Sequence, residues 1–466
     1  MRKLKITLFA LVFSAISALG QETNHPKIVD TFVEDYNTNN YEDFYKYFSI
    51  SLKEELPINQ AKNFFVEMKE KLGNIKNIEF YGLDDNHLAL YKTEFENDEV
   101  ALINLAVNEN GELVGLRILN MPEDNNVNTA LLAKSYKDIV LESITSLPNK
   151  GQIAIAIIND DKVEYLGFEK NKGEIKELEN YNNLFSIANF STVFTSTILA
   201  NAVEQGKVSL AQDINDLYDF KFKDDIKLKI SELANHSAAL PMLPKVENSL
   251  INDPDKYFIS FSRDNLIDYL KNDLVLDTLD QKNRQSFSFL GYAVLGEALT
   301  RLYDKSYEDL VQELIFDKYG MVNSTINLPR KKKKLVYGID ADKKEQKGYN
   351  IQALKPATSG FSSVEDLSKF VIAEFNKEDK VLNITQKPTL IVTPNYWVSS
   401  GWKIAFPFIS TSKLYFSRAI DSGYSNYIGF DPEMKKGLII LTNSSTQEAL
   451  NSLDDLSYKL MMKLLK

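Results

Sequence analysis

Cysteine is absent from this chain of 466 residues, and histidine and tryptophan are scarce, with three and two copies. The absence of cysteine excludes disulfide bonds, thiol catalysis, zinc–thiolate sites and a lipid-modified N-terminal cysteine. The histidines are His25, His87 and His236, and none stands at metal-ligand spacing from another. They also leave a Ser–His–Asp triad without a convincing base. We therefore predict neither a metal site nor a cofactor.

Positive charge is in the minority, because 54 Lys and Arg residues stand against 65 Asp and Glu residues, a net charge of −11. The dense basic run at 330–334 is typical of a solvated loop. An acidic balance argues against a nucleic-acid surface, so we predict no nucleic-acid partner. Apolar residues make up 44% of the chain, which is enough for two folded domains at this length.

The first 20 residues have the cationic head, short apolar middle and small-residue exit of a secretory signal peptide. The apolar stretch is too short to span a membrane. We predict cleavage near Gly20 and Gln21, a periplasmic or secreted location, and a mature protein without a transmembrane segment.

Residues 25–122 differ in pattern from the rest of the chain. Apolar residues at helical spacing predict helices within 28–48 and 61–72, and period-two segments then predict antiparallel strands joined at Asn110 and Gly111. This order predicts a small α+β cone, and it resembles a domain of unknown function of the cystatin or nuclear-transport-factor type. The polar segment 123–128 is the predicted linker. No chemistry is assigned to this domain.

A longer domain is predicted over 129–466. It begins with a helix over 130–146 and continues with two strands joined at 159–162, whose sheet the last strands complete. A C-terminal helix over 445–465 is expected to pack on that sheet. The whole chain is therefore predicted to be of the α/β (α+β) class.

The segment Phe185 to Ala200, F-S-I-A-N-F-S-T-V-F-T-S-T-I-L-A, resembles the nucleophile segment F-x-I-G-S-x-T-K-x-F-T of the penicillin-binding protein and β-lactamase family. Further phrases that follow the family's order are L-A-N-H-S-A-A-L-P (233–241), S-F-L-G-Y-A-V-L-G (288–296), P-A-T-S-G-F-S-S-V-E-D-L-S-K-F (356–370) and S-G-W (400–402). The resemblance implies a β-lactamase/transpeptidase-like domain, with an antiparallel sheet and a helical subdomain.

The resemblance also locates the family's catalytic positions, and the reactive groups are missing from them. The serine that attacks an acyl carbonyl falls on Asn189, and the lysine that takes its proton falls on Thr192. An amide cannot become a nucleophile in this way, and a threonine hydroxyl cannot accept a proton near neutral pH. The Tyr and Asn of the second motif fall on Phe287 and Phe289, so the phenol is lost.

The third motif, K-T-G or H-x-G on a strand edge, falls on Ser417, Arg418 and Ala419. Arg418 is either a cation for a ligand carboxylate or an ordinary surface residue, and the second reading is slightly favoured. A displaced nucleophile at Ser191 or Ser196 is disfavoured, because no amine or imidazole is apparent to activate it.

These substitutions predict an exported β-lactamase-like protein that has lost catalysis and acts as a binding or partner-docking protein in the cell envelope. Asn189, Thr192, Ser288 and Arg418 are the candidate cleft-binding residues, and Phe287 and Phe289 are expected to line or fill a smaller, more apolar cleft. A cell-wall peptide, another small ligand or an envelope protein would be the partner. The alternative is an active serine hydrolase, esterase or peptidase of the same family with relocated catalytic residues.

Overall fold

The computed structural model describes residues 21–83, 89–97, 99–108, 111–120, 129–244, 254–277, 285–329, 334–346, 348, 350–393, 396–405 and 413–466. The chain forms two compact units that divide between Thr129 and Ala130, with residues 393–395 grouped with the first. The predicted signal peptide (1–20), the predicted linker (123–128), His87 and most of the basic run lie outside the described residues.

The first unit packs helices against a four-stranded antiparallel sheet of order β1-β2-β3-β4 in its described part. The elements are α1 (Gln21–Thr38), α2 (Tyr41–Tyr45), α3 (Ile50–Glu55), α4 (Ile58–Leu72), β1 (Ile75–Leu83), β2 (Ala89–Phe95), β3 (Val100–Val107) and β4 (Leu113–Asn120). Phe32, Phe44 and Phe65 meet in its core, with ring centroids 5.1–6.3 Å apart. These three aromatic residues are therefore packing residues.

The second unit is built on an antiparallel sheet whose described strands run in the order β12-β13-β14-β15-β16-β17-β5-β6-β7. These strands are β5 (Gln152–Asn159), β6 (Lys162–Asn171), β7 (Glu174–Glu177), β12 (Pro388–Thr393), β13 (Tyr396–Ser399), β14 (Lys403–Ala405), β15 (Leu414–Asp421), β16 (Tyr424–Asp431) and β17 (Lys436–Thr442). The short strands β8 (Phe185–Ser186), β9 (Gly338–Ile339), β10 (Glu345–Gln346) and β11 (Phe361–Ser362) form separate pairs. The sequence predicted that the last strands of the chain complete the sheet begun by β5 and β6. This is observed, because β17 pairs with β5.

Helices cover both faces of this sheet. They are α5 (Thr129–Ala133), α6 (Tyr136–Ser143), α7 (Ser191–Glu204), α8 (Ile230–Ala234), α9 (Pro254–Ser260), α10 (Arg263–Asn272), α11 (Phe289–Tyr303), α12 (Tyr307–Val311), α13 (Val364–Glu374), α14 (Lys380–Gln386) and α15 (Gln447–Leu464). Because side chains alternate along a strand, Ile153, Ile155 and Ile157 pack towards α6 and α15, and the residues between them pack towards α7, α11 and α13. The predicted α/β (α+β) architecture is confirmed.

None of the helices that the structure describes combines the length and apolar composition needed to cross a membrane. The described residues likewise contain no cluster of three or more histidine or acidic side chains placed to hold a metal ion.

Candidate active-site cleft

A small cleft opens where the start of α7 meets the edge of the sheet. Its volume is about 110 Å³. Asn189 and Thr192 line it from the α7 side, Phe287 from the segment before α11, and Ser417 and Arg418 from β15. The structure therefore brings together residues from all three motifs, although the first and the third are more than 200 positions apart in the sequence.

The backbone just before Asn189 has an unusual conformation. Ala188 occupies the glycine position of the family phrase and still has a left-handed φ of 48°. A non-glycine residue pays a steric cost in this region, and such strain is concentrated at functional sites. One 3₁₀ turn, Ala188–Phe190, then leads into α7 and points the side chain of Asn189 at the sheet.

The Asn189 amide is bound to the exposed edge of β15. Of the residues of β15, only Leu414–Phe416 pair with β14, so the later residues of β15 have no strand on that side within the described chain. Asn189 Oδ1 accepts a hydrogen bond from the Ile420 backbone N–H at 3.1 Å, and Asn189 Nδ2 donates to the Arg418 carbonyl at 3.4 Å. The side chain thus fills the place of a neighbouring strand.

Thr192 lies one turn further along α7 and is buried. Its hydroxyl donates to the Asn189 carbonyl at 2.8 Å. The two positions that would carry nucleophile and base in the family are therefore engaged in hydrogen bonds that hold the helix start in place.

The second motif is occupied by aromatic rings that pack edge to face and at a tilt. The Phe287 ring lies 4.5 Å from the imidazole of His236 and 4.9 Å from the Phe289 ring, centroid to centroid. Phe289 packs against Phe258 at 5.3 Å and does not line the cleft, in contrast to the expectation for both rings. Phe289 is the first residue of α11 and packs in the helical subdomain, so of the two phenylalanines only Phe287 contributes to the apolar lining of the cleft, beside Val398 and Trp402.

Ser288 does not offer its hydroxyl to a ligand, in contrast to the prediction. Its Oγ donates to the Pro241 carbonyl at 2.7 Å and accepts from the Gly291 N–H at 3.0 Å, which caps α11. Ala419, the last position of the third motif, is buried in the core and does not line the cleft. Ser417 is the member of that motif whose hydroxyl faces the cavity.

The proposed alternative nucleophiles Ser191 and Ser196 are both fully buried within α7. Ser191 Oγ has no hydrogen-bond partner among the described residues, and Ser196 Oγ lies 3.0 Å from the Tyr292 hydroxyl. Neither lines the cleft. A substrate in the cleft would therefore not reach them.

His236 lines the cleft as a neutral imidazole. Its Nδ1 accepts a hydrogen bond from the Ser288 N–H at 3.2 Å. Burial, together with the positive charge of Lys403, lowers the pKa of His236 to about 3. Because Nδ1 is an acceptor, the hydrogen is on Nε2, which makes that atom a donor.

Lys403 is the cleft residue that sequence reasoning missed. It lies on β14 between the buried residues Trp402 and Ile404 and lines the cavity. Burial and the charge of Arg418 lower the pKa of its ammonium group. The available signal was a single lysine inside an apolar strand, directly after the S-G-W phrase.

Arg418 is partly a surface residue and partly a cleft residue. Its Nη1 pairs with Asp454 at 2.9 Å, and about a third of its side chain is exposed. Its Nε is buried and has no hydrogen-bond partner among the described residues. The third motif therefore brings one cation to the cleft, although it contains no lysine or histidine.

A helical subdomain packed on one face of an antiparallel sheet, with a cleft at the start of the first central helix, defines the second unit as a β-lactamase/transpeptidase-like domain. The β-lactamase family model matches residues 148–459, and the chain belongs to that family. A second model, for a protein of unknown function (DUF3887), matches residues 29–116 and corresponds to the small N-terminal domain.

Individual proteins support the same assignment. The chain is 20% identical over 330 residues to a β-lactamase of Providencia stuartii, covering 62% of this chain and 81% of that one. A β-lactamase/D-alanine carboxypeptidase from Yersinia pestis, solved with citrate, matches with a TM-score of 0.58 at 18% identity over 73% of this chain and all of that chain. An octameric penicillin-binding protein homologue from Pyrococcus abyssi matches with a TM-score of 0.55 at 20% identity, covering 70% and 76%. At these identities the solved structures establish the fold.

Proposed function

We propose that this protein is an exported member of the β-lactamase family that has lost acyl transfer and serves as a binding protein in the cell envelope. The observation that carries the proposal is the engagement of Asn189, whose amide bonds to both Arg418 O and Ile420 N at the strand edge. A residue fixed in this way cannot attack a carbonyl carbon, and it occupies the edge beside which an acyl group would lie.

The rest of the cleft supports the same conclusion. Proton transfer in a serine hydrolase needs a base within hydrogen-bond reach of the nucleophile. Thr192 cannot act as that base, and the aromatic ring of Phe287 has no proton to donate. The pKa of His236, at about 3, makes its imidazole a poor proton acceptor at neutral pH.

A second candidate is a hydrolase with relocated residues. Ser417 and Lys403 line the same cavity, and the pKa of Lys403 is lowered, which is the direction that makes an amine a better base near neutral pH. A Ser417–Lys403 pair would then replace the family's serine and lysine. This candidate predicts a covalent intermediate on Ser417.

One labelling experiment separates the two candidates. The purified protein is incubated with a fluorescent penicillin and, separately, with a fluorophosphonate, and each sample is measured by intact mass. The binding-protein proposal expects no adduct with either reagent. A stoichiometric adduct that disappears in Ser417→Ala, but remains in the exposed control Ser209→Ala, would establish the hydrolase instead.

The export and partner parts of the proposal need their own measurement. When the full chain is produced in a Gram-negative host, the released periplasmic fraction should contain a protein whose mass begins at Gln21. Pull-down from an envelope fraction should then recover a reproducible peptidoglycan fragment or protein. Retention of residues 1–20 in the cytoplasm, or no reproducible partner, would contradict these parts.

A further inference from the structure

Lys403 lines a narrow cleft and has no counter-ion among the described residues. It is half-buried on β14, and it makes no hydrogen bond or ion pair with any described residue. Unpaired cations are rarely buried even in part, because removing the charge from water is unfavourable unless an anion is nearby. The position of Lys403 therefore requires an explanation.

A larger cavity elsewhere in the second unit provides a contrast. It has a volume of about 650 Å³ and is also lined by cations. There, Arg263 and Arg301 both pair with Glu297, at 2.8 and 2.7 Å, and Lys355 pairs with Glu308. These charges are already balanced by the protein, whereas the charge of Lys403 is not.

The other polar groups around Lys403 are mostly donors. His236 presents Nε2–H, because its Nδ1 already accepts from Ser288. The guanidinium of Arg418 is paired with Asp454 through Nη1 at 2.9 Å, but its buried Nε has no hydrogen-bond partner among the described residues. Ser417 adds a hydroxyl, and none of the described residues that line the cleft is an aspartate or glutamate. A site of this composition favours a negatively charged acceptor.

From this arrangement we propose that the cleft binds a compact oxyanion group, a carboxylate or a phosphate, held by Lys403 with His236 Nε2–H as a second donor. The inference rests on the proposed non-catalytic function, because it assigns a ligand class to the same cleft. The cavity volume of about 110 Å³ restricts the bound part to a group the size of a few water molecules. A larger ligand would have to extend out of the cleft.

Binding of an anion would also change the electrostatics of the free protein. Burial and Arg418 lower the pKa of Lys403, so the charged amine destabilises the free fold. A bound oxyanion beside Lys403 would raise the pKa of the amine again and would stabilise its charged form. Replacing Lys403 with an uncharged residue should therefore leave the free protein at least as stable, while removing the affinity for anions.

The test is a titration of the purified protein by calorimetry and thermal shift, at constant ionic strength in chloride. The probes are inorganic phosphate, acetate and N-acetyl-alanyl-alanine, with the uncharged amide of that dipeptide as the matched control. The variants are Lys403→Met, Lys403→Arg and the exposed control Lys162→Met. Intact mass is recorded on the same samples.

We expect phosphate or the dipeptide acid to bind and to raise Tm, and the dipeptide amide not to bind. Lys403→Met should fold, melt no lower than the wild type and lose about tenfold or more in affinity, whereas Lys403→Arg keeps most of it. Lys162→Met should behave as the wild type. Binding of phosphate alone would identify an inorganic phosphate or phosphomonoester site, and binding of the dipeptide acid a carboxylate site.

Absence of binding at about 10 mM of every anion, or equal affinity in Lys403→Met and the wild type, would overturn the oxyanion proposal. A covalent adduct in the mass spectrum would instead overturn the non-catalytic function. Failure of the oxyanion proposal is therefore read from the binding data, and failure of the non-catalytic function is read from the mass spectrum.

Discussion

At the scale of single residues, the side chain of Asn189 joins the start of α7 to the edge of β15. The residue before it, Ala188, has a left-handed φ of 48°. The side chain of Asn189 forms two hydrogen bonds with β15 that a serine hydroxyl is too short to reproduce together. Asn189 therefore fixes the start of α7 to the edge of β15.

Glu374 is a second unusual residue, and it lies behind the cleft wall. Its carboxyl group is buried and accepts hydrogen bonds from Gln386 Nε2 at 2.7 Å and from Trp402 Nε1 at 3.3 Å. Burial raises the pKa of this carboxyl to about 8, more than the two donors lower it. The folded protein therefore holds a proton at neutral pH that the unfolded chain releases.

This difference predicts a loss of stability on the alkaline side. The contribution of Glu374 is complete below its unfolded pKa of 4.5 and is lost as pH rises towards about 8. The expected loss across that window is on the order of a few kcal/mol. Relative to the wild type, Glu374→Gln should become progressively more stable between pH 5 and pH 8, as measured by urea unfolding at several pH values.

The acid side provides an internal check on that prediction. His236 has its pKa lowered to about 3, so its contribution is complete above pH 6.5 and is lost as pH falls towards 3. Glu374→Gln should not alter this limb. Glu378→Gln, a change at an exposed position, should run parallel to the wild type throughout, and a parallel line for Glu374→Gln would contradict the raised pKa.

At the scale of elements, α11 depends on the serine that precedes it. Ser288 Oγ caps the helix through Gly291 N–H and also satisfies the buried Pro241 carbonyl. Loss of an N-cap costs about 1 kcal/mol, and an unsatisfied buried carbonyl adds about 1–3 kcal/mol. We predict that Ser288→Ala lowers the free energy of unfolding by about 2–4 kcal/mol in urea titrations.

The matched control is Ser306→Ala at the start of α12. Ser306 Oγ accepts from the Asp309 N–H at 3.1 Å and lies at an exposed helix end. It should cost about 1 kcal/mol, as a cap without a second buried partner. Equal losses in the two variants would mean that the bond to Pro241 contributes nothing.

The order and type of the elements could largely be predicted from the sequence, because apolar periodicity and the family phrases carry that information. The first and last residues of each helix and strand were harder to predict from the sequence. The helix predicted within 28–48 is interrupted at Asn39, whose φ of 64° lies in the left-handed region, so α1 ends at Thr38 and α2 begins at Tyr41. Asparagine tolerates this conformation, but the tolerance alone does not say where a helix breaks.

The cleft was predictable at the motif positions and not beside them. Asn189, Thr192 and Phe287 line it as the phrases indicate. The roles of Ser288 and Lys403 depend on which way a side chain turns after folding, towards Pro241 in one case and into the cavity in the other. Strand alternation alone does not determine either direction, because β14 has only three residues and Ser288 precedes a helix.

At the scale of the whole molecule, each unit has a core of its own. The core of the first unit contains residues from Ile28 to Leu116, and the cores of the second contain residues from Ile139 onwards. The β-lactamase family model lies entirely within the second unit, at residues 148–459, and the model for the first domain ends at residue 116. These observations indicate that residues 130–466 contain what their own fold requires.

We therefore predict that a chain of residues 130–466 folds without the first unit. Both tryptophans, Trp397 and Trp402, lie in it, and the buried Trp402 donates to Glu374, so tryptophan emission reports on this unit. The shortened chain should show the emission maximum of the full protein and one cooperative thermal transition. An emission maximum shifted to that of unfolded protein would contradict the prediction. If the shortened chain is unfolded, residues 21–129 can be added to it as a separate chain. Restoration of the native spectrum would then show that the first unit supplies the missing stabilisation.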